Sequence, residues 1–251
     1  MLAAERRELL VARLRRDGKL IARDLAAELG LSEDSVRRDL RELAAAGLCQ
    51  RVYGGALPIS PALGSHANRS EIARESKRRI GFRAAELITP GTTAILDAGT
   101  TALAVVRALR PDLSARVITH SVTTAVALAE HSGVDVFVLG GRLHKRSVSA
   151  LGAAAAESAR AVSADLALLV LAGVHPDHGL TAGEAEEAAL RRILIGRTAD
   201  TYVMASIEKL GTVCPYRVTG LSAVAGIITD APSDHPAVRE FREHGVHVIE
   251  A

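Results

Sequence analysis

The stretch "LSEDSVRRDL", Leu31 to Leu40, sets Arg37 and Arg38 side by side just after a Gly-Leu-Ser break. Val36 and Leu40 fall on one helical face, so Ser32, Ser35, Arg37 and Arg38 project from the start of a helix that Ser32 caps. An arginine fork fits a guanine edge or a phosphate, and serine hydroxyls fit phosphate or base edges. A solvated face on a plain three-helix bundle accounts for the same residues. Asp39 is expected to hold a neighbouring arginine. Further along, four loops carry anion-binding chemistry. "DAGTT", Asp97 to Thr101, offers backbone N–H groups and two hydroxyls at a helix start. "THS", Thr119 to Ser121, repeats the strand-end hydroxyls, Gly140-Gly141-Arg142 permits close backbone approach, and Lys209 supplies a cation. Helix capping, a plain turn and a solvated lysine are the alternatives.

The elements that must position these groups fall into two sets. "ERRELLVARLRRDG" and "IARDLAAELG" have helical spacing, the latter through Ile21, Leu25 and Leu29, and a third helix runs from Ser32 through Val36, Leu40 and Leu43 to a stop at Gly47. Two helices joined by a Gly-containing turn form a helix-turn-helix, over about residues 20–39. "LCQRVYGGAL" then alternates and turns at Gly54-Gly55, as a small β-wing does. The first domain is 3–57. "PISPALGSHANRS", with Pro58, Pro61 and Gly64, marks a linker over 58–74. From there "EIARESKRRIGFRAAELI" is helical. The runs "TAILDA", "RVITH", "VDVFVLGG", "DLALLVLAG", "TYVMAS" and "VAGIITD" then alternate with helical patterns at 101–110, 122–131, 150–161 and 184–199. Such alternation predicts a mostly parallel sheet covered on both faces, an α/β domain of Rossmann-like type over 75–231, with a C-terminal helix and strand at 232–251 completing it. Ligands in such sheets bind beyond the C-terminal strand ends.

Composition sets bounds on both. The 251 residues are 48% hydrophobic but only 2% aromatic, so the core must be aliphatic. No apolar run reaches the ~18 residues of a membrane span, and the two cysteines lie far apart, which points to a cytoplasmic protein in a reducing compartment. Residues 1–57 hold 11 Lys+Arg against 9 Asp+Glu and the rest hold 20 against 20, so the net charge of +2 resides in the N-terminal segment. His175/His178 and His244/His247 lack any metal-type context and read as surface loops; no metal and no cofactor is expected.

Residues 6–57 resemble the winged helix-turn-helix of the DeoR family of bacterial transcription regulators. The resemblance rests on Arg7, Ser32, the run Ser35-Val36-Arg37-Arg38-Asp39-Leu40, and "RVYGGA" from Arg51 to Ala56, with Ser35 where the family usually has threonine. It implies DNA contacts from Ser32, Ser35, Arg37, Arg38 and Arg51. Residues 75–231 are similar to that family's effector domain, itself akin to ribose-5-phosphate isomerase-type folds. On that resemblance Asp97, Gly99, Thr100, Thr101, Thr119, Ser121, Gly140 and Lys209 line a phosphorylated-sugar pocket, with Glu184 or Arg191 on a bordering helix. His120 replaces the family's asparagine, and Ser206 the aspartate before the lysine. The expected function is a regulator, most simply a repressor of carbohydrate genes, released from operator DNA by a sugar phosphate and working as a homodimer or larger even assembly, with no catalytic residues. A sugar-phosphate isomerase or deaminase using Asp97, Asp165 or Glu184 as base, and a regulator whose second domain only oligomerises, are the alternatives.

Overall fold

The computed structural model describes residues 3–60, 63 and 65–251; Pro61 and Gly64 of the expected linker lie outside the described residues. The N-terminal part comprises α1 (Ala3–Asp17), β1 (Leu20–Ile21), α2 (Ala22–Leu29), α3 (Glu33–Ala45), β2 (Gln50–Val52) and β3 (Gly55–Leu57). Its strands form an antiparallel sheet in the order β1-β3-β2, so the wing gains a third strand that helical spacing had concealed. Ile21 is correspondingly the residue before α2 and is exposed, while Leu25 stays in the core. Leu10, Leu14, Leu25, Val36, Leu40 and Leu43 make that core, one aliphatic stripe from each helix.

Next come α4 (His66–Glu71), α5 (Arg74–Ala85), β4 (Thr93–Leu96), α6 (Thr100–Ala108), β5 (Ala115–Thr119), α7 (Val122–Leu128) and β6 (Val134–Val138). The single helix expected from Glu71 is therefore two, broken at Ile72-Ala73, where Ala73 adopts φ 50°. A hairpin of β7 (Arg142–His144) and β8 (Ser149–Leu151) precedes α8 (Ala153–Arg160) and β9 (Ala164–Val170). Then follow β10 (Gly173–His175), β11 (Gly179–Ala182), α9 (Ala185–Ile195), β12 (Thr198–Met204), β13 (Tyr216–Thr219), β14 (Gly226–Thr229), α10 (Pro236–Glu243) and β15 (Val248–Glu250).

Seven strands pair in the order β15-β14-β12-β9-β4-β5-β6, and every pairing is parallel. Alternate residues of one strand serve opposite layers. Ala94 and Leu96 pack with Ile80, Ala84 and Val105 of α5 and α6, while Ile95 packs on the other face with Ala155 of α8 and Leu194 of α9. Burial on both faces is why these strands read as unbroken apolar runs. The chain order places β5 on one side of β4 and β9 on the other. Their C-terminal loops diverge there and leave a crevice, the usual ligand position in an open parallel sheet. Among the described residues no helix is long and apolar enough to cross a membrane.

Candidate functional site

In the N-terminal part, Ser32 caps α3: its Oγ accepts from the Ser35 N–H at 3.2 Å and lies 3.0 Å from the Ser35 Oγ. Arg37 and Arg38 are both exposed, but Arg37 is drawn back onto its own helix by Glu33 at 2.6 Å. Arg51 is exposed on β2. Asp39 does hold an arginine, though not one of its neighbours: Arg6 of α1 donates to its two carboxylate oxygens at 2.5 and 3.0 Å in the buried interior. That fork fixes the angle between α1 and α3, and it raises the Arg6 pKa through the hydrogen bond to Asp39. Arg7 pairs at the surface with Glu42 at 2.5 Å. The outward face of α3 thus carries arginines and serines among acidic residues, and its inward Asp39 is tied to α1.

In the α/β part, a cavity opens where the loops after β4 and β9 diverge. Gly99 and Thr100 at the start of α6 form one side. Gly99 has φ 144°, a conformation that favours glycine, and a Cβ there would stand a tight 3.3 Å from the Val170 side chain. Lys209 enters from the turn after β12. Arg69, Lys77, Glu187, Arg191 and Glu208 complete the charged lining. Burial pulls the Lys209 ammonium down to about 8, against an ordinary value of 10.5. Burial likewise lowers Lys77 and Arg69. Counting the buried Asp97 behind Arg191, four cations (Arg69, Lys77, Arg191, Lys209) face three carboxylates (Asp97, Glu187, Glu208). The lining suits an anion.

Of the residues expected in or beside a pocket, Gly99, Thr100, Lys209 and Arg191 line this cavity, while Asp97, Thr101, Thr119, Ser121 and Gly140 do not. Asp97 is fully buried, and its oxygens are taken by protein donors: the Ala98 and Val170 N–H groups at 2.7 and 2.8 Å, His120 Nε2 at 2.8 Å and Arg191 Nε at 2.8 Å. Burial opposes its ionisation, but the Arg191 charge and the His120 hydrogen bond prevail and hold it well below the usual carboxylate range. Arg191 is raised in turn by Asp97 and Glu187 against its own burial. His120 spans Asp97 and the Ala150 carbonyl, at 3.2 Å from Nδ1, so the departure from asparagine serves this hub. The Thr119 hydroxyl accepts from the Ser121 N–H at 3.1 Å, and the Ser121 hydroxyl caps α7. The Thr101 hydroxyl is buried with no hydrogen-bond partner among the described residues.

Gly140 is exposed with open space around it. The close approach is made by Gly141, at φ 153°, where a Cβ would meet the Leu151 carbonyl at 2.8 Å. Ser206 is buried and its hydroxyl donates to Glu208 at 2.6 Å, while Asp230 accepts from the Ile207 N–H at 2.9 Å. Glu184 pairs with Arg146 at 3.1 Å beside the cavity. Asp165 is exposed and accepts from the Thr93 N–H at 2.9 Å, where β4 and β9 begin, away from the crevice at their other ends. Arg69, Lys77 and Glu208 had no motif to announce them. Arg191 sits four residues after Glu187, a spacing visible in sequence, and the two pair at 3.2 Å.

Comparison with known proteins agrees with both halves. The family model for the DeoR-like helix-turn-helix domain matches residues 6–62, and that for the DeoR C terminal sensor domain matches residues 72–231. The chain is similar to the HTH-type transcriptional regulator GlpR of Haloferax volcanii, 30% identical over 100% of this chain and 98% of that one. It is similar to the glycerol-3-phosphate regulon repressor of Escherichia coli K12, 26% identical over 99% of each. It also matches the HTH-type transcriptional repressor GlcR of Bacillus subtilis, 29% identical over 94% of this chain and 92% of that one. These relatives are named as regulators and repressors, not enzymes. Ribose 5-phosphate isomerase A from Methanocaldococcus jannaschii overlaps 54% of each chain at 15% identity and a TM-score of 0.41, too slight a likeness to reason from. With its reader and its sensor both matched in order along the chain, the protein belongs to the DeoR family of DNA-binding transcription regulators.

Proposed function

We propose that the protein is a repressor that binds operator DNA through α3 and the wing, and leaves it when a phosphorylated sugar or polyol enters the cavity after β4 and β9. The observation that carries this reading is the lining: backbone N–H groups at the start of α6 beside Thr100, with Lys209, Lys77 and Arg69 converging from three other elements. A phosphate dianion is best held by such a helix start plus hydroxyls and cations. The repressor names of the GlcR and glycerol-3-phosphate relatives support the direction of control. On this reading Ser32, Ser35, Arg38 and Arg51 meet DNA, supported by the exposure of Ser32, Arg38 and Arg51, and Arg37 joins them once it leaves Glu33. A helix-turn-helix reader addresses two half-sites, so the working unit is a homodimer or larger even assembly in the cytoplasm. Ligand control follows by linkage, a ligand that prefers the DNA-incompetent state drawing the population toward it.

The test pairs two measurements on the full chain. A panel of phosphorylated sugars and polyols, each beside its unphosphorylated parent, is screened by thermal shift and by release of the promoter fragment. Stabilisation and release by a phosphorylated compound alone are expected. Release by none of them removes the sensor reading.

A further inference from the structure

The cavity has one wall that is not part of the sensor sheet. Residues 63–71 lie between the two family segments, and the stretch from Pro58 to Ala73 is the covalent path from β3 of the wing to α5 of the sensor. This path is tied down across the crevice. Ile59 bridges to Val213, and the Ser60 hydroxyl donates to the carbonyl of Ala172, a residue of the cavity wall. Leu63 rests on Gly183, where a Cβ would stand 2.5 Å from the Leu63 Cδ2. The His66 N–H donates to the Arg146 carbonyl at 2.8 Å. Arg69 of α4 and Lys77 of α5 then turn into the cavity. The Lys77 ammonium, itself buried, donates to the carbonyls of Arg69 and Ile72, so it clasps the end of α4. Ala73, between the two helices, holds a left-handed backbone that a residue with a Cβ rarely adopts.

An anion in this cavity therefore meets two kinds of cation. Lys209 and the start of α6 belong to the sheet and its helices. Arg69 belongs to the strap leading to the DNA reader. A ligand shifts a conformational equilibrium only by contacts that differ between the states, and the strap offers such a contact. We propose that residues 65–74 carry cavity occupancy to the DNA reader, with Arg69 engaging the ligand's phosphate from the strap side and Lys77 moving with it. This rests on the phosphate reading of the cavity and adds the group that converts binding into movement. The left-handed Ala73 is the joint about which α4 shifts against α5.

Hydrogen exchange of the full chain, with inorganic phosphate as the probe and chloride at equal ionic strength as control, tests it. In the parent, phosphate should slow exchange at the first turn of α6, residues 99–102, and at 65–74, and change exchange in the wing at 50–57. Arg69→Ala should keep protection at 99–102 with phosphate affinity weakened roughly tenfold or more, while the responses at 65–74 and 50–57 vanish. Arg69→Lys should restore part of both. Protection at 99–102 without any response at 65–74 in the parent overturns the strap and leaves the phosphate pocket standing. A wing response that survives in Arg69→Ala also overturns it. No protection at either segment at saturating phosphate removes the pocket reading, and this inference with it.

Discussion

Arg191 donates from Nε to the Asp97 carboxylate at 2.8 Å, the arginine buried in the cavity wall and the aspartate behind it, while its Nη1 donates to Glu187 at 3.2 Å. The pair joins the loop after β4 to α9, two elements 94 residues apart in the chain. Removing one partner of a buried ion pair leaves a desolvated charge, which costs ~3–5 kcal/mol. Glu187 remains beside Arg191, so Asp97→Asn should cost about 3 kcal/mol, at the lower end of that range. Urea unfolding at pH 7 measures it. A variant as stable as the parent would return Asp97 to the ligand surface.

Lys209 gives a pH signature. Its ammonium has a pKa of about 8 in the folded chain against an ordinary 10.5, so between those values the unfolded chain holds the extra proton. Stability should therefore rise with pH across that window, because charging Lys209 costs the fold below about 8. A bound phosphate needs the charged form, so ligand affinity should fall as pH climbs past 8, by at most about tenfold per unit. Titrations from pH 7 to 9.5 read this directly. Lys209→Arg keeps its charge throughout and should flatten the profile; a parent profile already flat would take Lys209 out of the contact.

The two arginines of α3 should not weigh equally on DNA. Arg38→Ala should weaken promoter binding by about 1–3 kcal/mol if it reads a base, whereas Arg37 must first leave Glu33 and should cost less. A phosphate contact would weaken all sequences alike and reduce the salt slope by about one. Anisotropy titrations at several salt concentrations separate these outcomes, and equal losses for the two variants would mean that the Glu33 contact does not persist on DNA.

Gly140 and Gly141 make a paired control. Gly140→Ala adds a methyl to open space and should stay within ~0.5 kcal/mol of the parent. Gly141→Ala forces a left-handed φ and a clash with the Leu151 carbonyl, for a loss of about 1–3 kcal/mol. Thermal unfolding of the two variants distinguishes them, and similar midpoints would mean that the turn after β6 relaxes freely.

Breaking the Arg6–Asp39 fork by Asp39→Asn should destabilise the reader by up to about 3 kcal/mol, since Asp39 is buried and Arg6 lies at the edge of the core. Denaturation of the full chain should then show an early transition for the N-terminal part. A single unshifted transition would mean that α1 docks without the pair.

What the sequence determined by itself is what short-range pattern encodes. Period-3.6 apolar spacing located α1, α2 and α3. The Ser32 cap located the start of α3, and apolar runs between helical patterns located the parallel strands, because side chains in such strands are buried on both faces. The motif at Gly99-Thr100 was legible as a local backbone arrangement at a strand end, whereas Lys209 was singled out for the pocket by the family resemblance. The strands at 142–144, 149–151, 173–175, 179–182 and 216–219 were not, since three or four residues carry too little periodicity.

Tertiary structure alone decided which polar groups face the cavity and which hold it up. Asp97 reads as a ligand-binding residue until Arg191 and His120 arrive from distant segments and take its oxygens, because a buried carboxylate is kept charged only by such donors. Asp39 announces an arginine partner, but only the packing of α1 on α3 names Arg6. The break at Ala73 and the inward turn of Arg69 follow the same logic. Local composition reads this stretch as linker running into helix, and contacts with Ala172, Gly183, Arg146 and Lys77 make it a wall of the site.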